Sequence, residues 1–80
     1  MGIEFLKDQA LLAGTVSVED AEALAQHLRA LPRPAVHLGE CEHLHAAALQ
    51  VLLALRPVLL AAPREAWLAA ALSDLPGAKE

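Results

Sequence analysis

The sequence predicts an α/β fold, with a mixed sheet of about four strands and three helices in the order ββαβαβα. Three observations predict it. Short apolar, strand-like runs alternate with helically spaced apolar patterns after residue 16. Prolines at 32, 34, 57, 63 and 76 stand at the joints between them. An unbroken apolar run, VLLAA, lies between two of those prolines and reads as a strand buried on both faces. Strands alternating with helices imply a sheet that is parallel in its later part, with right-handed crossovers.

Residues 3–6 (IEFL) are short and apolar and predict a first strand, with Lys7-Asp8 as a turn. Residues 9–16 (QALLAGTV) predict a second strand, although Ala and Leu are poor strand formers. Gly14 near its end marks a bulge or a close backbone approach. Ser17 is an expected N-cap, and Asp20 completes a capping box with Asp in place of Glu. Glu19 and Asp20 suit the positive end of the helix dipole. Val18, Ala21, Leu24, Ala25, Leu28 and Leu31 then form one apolar stripe, which Pro32 stops.

Residues 35–38 predict a third strand and residues 39–44 a polar loop. Residues 45–55 predict a helix that is apolar nearly all round and therefore well buried, ended by Arg56-Pro57. Residues 58–62 are the fourth strand. Pro63 suits the first turn of the last helix, whose inner stripe is Trp67, Leu68, Ala71, Leu72 and Leu75. Pro76-Gly77 ends it, and residues 78–80 are expected to fray.

Eighty residues make one domain, 1–80, with one modest core. Ala and Leu fill nearly half of it, which supplies helix propensity and core volume but little shape. The net charge is −4, and the six basic residues, Lys7, Arg29, Arg33, Arg56, Arg64 and Lys79, form no run. With only Phe5 and Trp67 as aromatics, this composition argues against nucleic-acid binding. The acidic balance also argues against an anionic membrane surface. The most apolar stretch is broken by Gln50, Arg56 and Pro57, so no direct membrane insertion is expected. Cys41 is the one cysteine; together with the lack of a signal-like start it predicts a reducing, cytoplasmic setting.

The most informative stretch is HLGECEHLHAAAL, residues 37–49, at a strand-to-helix junction. It resembles, without a gap, the signature of the STAS family, the domain of anti-sigma-factor antagonists and sulfate-transporter tails. That pattern reads roughly D-L-S-x-V-x-x-x-D-S-S-G-L. His37 and His45 fall on the two acidic positions, Leu38 and Leu49 on the leucines, and Cys41 on the small apolar position. Ala46 falls on the Ser or Thr that many members phosphorylate. Residues 13–24 (AGTVSVEDAEAL) are similar to the segment that leads into the family's first helix. The likeness covers about residues 10–75.

The resemblance implies a non-enzymatic protein–protein interaction module of bacterial signalling. Its partners would be an anti-sigma or histidine-kinase-like protein, a chemotaxis-type complex or, alternatively, a transporter ATPase served by a cytosolic accessory subunit. The expected contact surface is Glu40, Glu42, His43, His45 and Ala46, with Gln50 at its rim. Thr15, Ser17 and Ser73 are the only hydroxyl residues in the chain, so the usual acceptor is absent and no Ser or Thr phosphorylation switch is expected at Ala46. No cofactor is expected.

Two further readings attach to the same residues. His37, Cys41, His43 and His45 are zinc-ligating types, with Cys41, His43 and His45 as the weak metal candidates. Their spacing matches no zinc pattern, and polar or capping roles are preferred. Cys41 is expected to pack as a small hydrophobe, because Glu40 and Glu42 beside it disfavour a reactive thiolate. No nucleophile–base pair, glycine-rich phosphate loop or paired carboxylate set supports catalysis.

Overall fold

The computed structural model describes residues 2–77. The order is β1 (Ile3–Phe5), β2 (Ala10–Val16), α1 (Val18–Ala30), β3 (Ala35–Leu44), α2 (Ala46–Leu55), β4 (Val58–Ala61) and α3 (Ala66–Ala71). The fold is α/β, and the order is the expected ββαβαβα. The sheet order is β1-β2-β3-β4. β1 is antiparallel to β2, whereas β2, β3 and β4 are parallel. The expected fraying of residues 78–80 lies outside the described residues.

Ser17 caps α1 through the expected capping box. Its hydroxyl accepts the Asp20 N–H at 3.4 Å, and the Asp20 carboxylate accepts the Ser17 N–H at 2.9 Å. Two orphan donors of the first turn are thereby satisfied. Ala21, Leu24, Ala25 and Leu28 are the buried stripe. Val18 turns out to solvent and Leu31 is the C-cap, because the stripe fits the core only in the middle of the helix.

One core serves the whole domain. Ala10 and Leu12 of β2, Val36 and Leu38 of β3 and Leu59 of β4 share one sheet face. They cluster with Leu24, Leu28, Leu52, Leu68, Leu72 and Leu75. Burying a leucine of this kind is worth roughly 2 kcal/mol. On the opposite face Leu11, Ala13, Ala35 and His37 are only half-buried.

Four sequence expectations are corrected. First, residues 39–44 are strand, not loop. β3 stays paired with β2 as far as Val16↔Leu44, but the register slips twice. Leu11↔His37 is followed by Ala13↔Glu40, and Gly14↔Cys41 by Thr15↔His43. Each slip places one extra residue in β3, as a bulge does. The buried positions slip with it, from Val36 and Leu38 to Cys41 and then Leu44. Period-two alternation is lost, so the segment reads as a polar loop. Gly14 faces the second slip with φ +61, a conformation costly for any residue with a Cβ.

Second, α2 is not buried all round. Ala48 and Leu52 are its fully buried residues, while Ala46, Gln50, Leu53 and Ala54 face solvent. Third, β4 is an edge strand rather than a central one. Leu59 is buried, but Leu60, the extra residue in a slip between Val36↔Leu59 and His37↔Ala61, is 51% exposed. The Leu59 N–H is satisfied by the Pro76 carbonyl at 2.7 Å rather than by a further strand. Fourth, Trp67 points outward at 55% exposure, and Ala71 is also exposed. The helix is only six residues long, so Leu68 and Leu72 define its one inward line. Pro63 lies before the helix rather than in its first turn, and Glu65 stands at the N-cap.

Candidate functional site

The expected contact residues lie where β3 hands over to α2. Parallel strands β2 and β3 end side by side at Val16 and Leu44, and each leads directly into a helix. In α/β sheets this carboxyl edge of the strands is the usual place for a site. The two junctions are tied together, because the His45 N–H donates to the Val16 carbonyl at 2.9 Å.

The two bulges set which side chains reach solvent. Glu40 is exposed in the first and pairs with Arg64 at 3.6 Å. Both partners of that pair are largely solvated, so it is worth little in stability. Glu42 and His43 are both exposed at the second, although successive strand residues normally point to opposite faces. Cys41 between them turns into the core at 2% exposure. Its thiol donates to the His43 carbonyl oxygen at 3.7 Å. Burial pushes the thiol above its ordinary value of 9.0; the contact with the His43 backbone offsets part of that rise, and the Glu42 charge adds to it. Cys41 therefore packs as a neutral small hydrophobe.

His45 is the N-cap of α2. Its Nδ1 accepts the Ala47 N–H at 3.0 Å, an exposed contact. Imidazole stands here where Ser, Thr, Asp or Asn is usual. Ala46 is the first helical residue and faces solvent. Its methyl occupies a position where backbone N–H groups and the helix dipole favour negative charge. Gln50 is exposed one turn on. It lies on a shallow groove between α1 and α2 whose other walls are Ala25, Arg29, Ala47, Val51, Ala54 and Leu55.

Glu40, Glu42, His43, His45, Ala46 and Gln50 thus follow one another along the end of β3 and the first turns of α2. The groove residues of α1 were missed by sequence reasoning. Small residues at Ala25, Ala47 and Ala54 keep the gap between the helices open, and these alanines read in sequence only as helix formers.

The weak metal candidates do not converge. Cys41 points inward, while His43 and His45 are outside. Among the described residues no three His, Cys, Asp or Glu side chains are grouped to hold one ion. His37 lies on the open sheet face, where its Nδ1 accepts the Gly39 N–H at 3.3 Å. A Cβ on Gly39 would come within 2.9 Å of His37 Cε1, so a larger residue there would make the ring turn aside. Among the described residues the Cys41 thiol is hydrogen-bonded to a backbone carbonyl and not to an imidazole.

A larger depression, lined by Lys7, Asp8, Leu31, Pro32 and Arg33, sits at the opposite end of the parallel strands. It is open, shallow and separate from the α2 start. Among the described residues no helix is long and apolar enough to cross a membrane.

Comparison of the chain with protein-family models, with curated proteins and with solved structures gave no match. The likeness to STAS domains therefore rests on the spacing of the 37–49 signature and on the element order, not on residue identities.

Proposed function

We propose that this chain is a non-enzymatic, STAS-like protein-interaction module of bacterial signalling, working without a Ser or Thr phosphorylation switch. The observation that carries the reading is the solvent-facing start of α2. Ala46 stands at the first helical position, bordered by exposed Glu40, Glu42 and His43, with Gln50 one turn further on. The resemblance assigns the partner contact to this helix start.

The methyl of Ala46 leaves the surface permanently in its uncharged form, so control would pass to expression, competition or the partner's own state. Capture of partners from the source organism, wild type beside Ala46→Glu, tests this reading. Glu there mimics an added negative charge, yet acidic residues are favourable in a first helical turn, so the fold should hold. A kinase, a signalling protein or a transporter ATPase retained by wild type and lost by the variant supports the module and separates its signalling and transporter versions. Partners held equally by both place the interface elsewhere.

A further inference from the structure

Strands β2, β3 and β4 run the same way, and a helix follows each of them. All three helices therefore start at one end of the sheet. Charge separates along the same axis. The end where the strands finish holds Glu19 and Asp20 in the first turn of α1, Glu40 and Glu42 late in β3, and Glu65 at the N-cap of α3. Among the described residues Arg64 is the one cation there, and it is paired with Glu40. The opposite end holds Lys7 between β1 and β2, Arg29 in the last turn of α1, Arg33 before β3 and Arg56 at the C-cap of α2. Against these cations stand Asp8, and Asp74, whose carbonyl Arg56 contacts. Helix dipoles explain part of the pattern, since acids suit a helix start and cations a helix end. They do not explain Lys7, Arg33, Glu40 and Glu42, which lie outside the helices.

Each end also offers apolar surface. Val18 and Ala46 are exposed at the starts of α1 and α2, which the bond from the His45 N–H to the Val16 carbonyl draws together. At the opposite end Leu31 and Pro32 line a depression together with Lys7, Asp8 and Arg33. One end is thus an apolar tip among carboxylates, and the other an apolar floor with two cations.

We propose that the depression receives the α1–α2 start of a second copy of this chain, in a head-to-tail contact. Val18 and Ala46 of one copy seat over Leu31 and Pro32 of the next, and Glu19 and Glu42 meet Lys7 and Arg33. Asp8 opposes the contact, but the two cations beside it outweigh it. The two surfaces differ, so every added copy leaves one end of each kind free, and copies join in a row instead of closing as a dimer. The charged groups are exposed, so each pair contributes little and association needs roughly 0.1–1 mM chain. The inference concerns the chain alone and does not depend on any other partner.

Salt distinguishes this contact from an apolar one. The net charge of −4 makes copies repel, and low salt strengthens that repulsion. Association at low salt therefore requires opposite charges brought face to face. Apolar association responds to salt in the reverse sense.

The test is sedimentation equilibrium of the purified chain across that concentration range, in about 20 mM and about 500 mM salt. In low salt the weight-average mass of wild type is expected to climb with concentration without levelling off at two copies. In high salt it should stay near one copy. Glu42→Lys and Arg33→Glu, both at exposed positions, should each weaken association about tenfold. A chain carrying both substitutions should recover to within about threefold of wild type, because the opposed charges are exchanged rather than lost. A wild type that stays monomeric in low salt, a mass that levels off at two copies, association that salt strengthens, or a double variant no better than the single ones overturns the proposal.

Discussion

The His45 N–H donates to the Val16 carbonyl at 2.9 Å, so the residue that caps α2 is also fastened to the end of β2. Side chain and backbone of one histidine thereby set both the start and the position of the helix that presents Ala46. The cap orients α2 and the strand contact holds it beside the start of α1.

Leu52 and Leu53 test how α2 is seated. Leu52 is fully buried, whereas Leu53, its neighbour in sequence, is 40% exposed. Leu52→Ala is expected to cost about 2–5 kcal/mol, through lost burial and the cavity left behind. Leu53→Ala should cost well under that. Urea denaturation of both variants measures the difference. Similar costs would mean that α2 is buried on both sides, as its sequence alone suggests.

Cys41 should make stability fall at alkaline pH. Burial raises its folded-state value above the ordinary 9.0. Between the unfolded and the folded values the unfolded thiol has lost its proton and the folded one has kept it, so stability declines as pH rises through that window and is fully present below it. Unfolding followed from neutral pH to about pH 10 should show this loss, reduced in Cys41→Ala. The same burial predicts slow alkylation of the native protein and fast alkylation in urea.

Arg56 ends α2 in a left-handed conformation, φ 52 and ψ 54, with its N–H bonded to the Leu52 carbonyl. Glycine takes this geometry without a Cβ penalty. Its guanidinium also donates to the Asp74 carbonyl at 2.9 Å, in an exposed contact. Arg56→Gly and Arg56→Ala both remove that contact, but only Gly relieves the backbone. The glycine variant should be the more stable of the two by about 1 kcal/mol, as measured by thermal or urea unfolding.

Much of this fold was legible in the sequence, for reasons the structure makes plain. Ser17 and Asp20 announce the start of α1 because a capping box is a local device that needs only residues three apart. The prolines mark the joints because their backbone restrictions are also local. What stayed hidden depends on neighbours distant in sequence. The bulges of β3 follow from its pairing with β2 and scramble the alternation that a strand shows. The edge position of β4 follows from the absence of a further paired strand among the described residues, with Pro76 supplying the partner for Leu59. An apolar run such as VLLA reads the same at a sheet edge as at its centre. Trp67 looks like core until the shortness of α3 turns it outward. At the candidate site, Glu40, Glu42, His43, His45 and Ala46 were visible as a cluster. The groove behind Gln50 was not, because it exists only once α1 and α2 lie side by side.

The central claim is that the start of α2 is a docking surface, and the direct measurement is the affinity of a captured partner for three proteins: wild type, Ala46→Glu and Lys7→Glu. Lys7 lies in the depression at the opposite end of the strands, and its charge reversal serves as a control for negative charge added away from the α2 start. The account predicts that Ala46→Glu weakens binding at least about tenfold, as one repulsive charge in an interface does, while Lys7→Glu leaves it unchanged. Unaltered affinity for Ala46→Glu, or an equal loss for both variants, would contradict it.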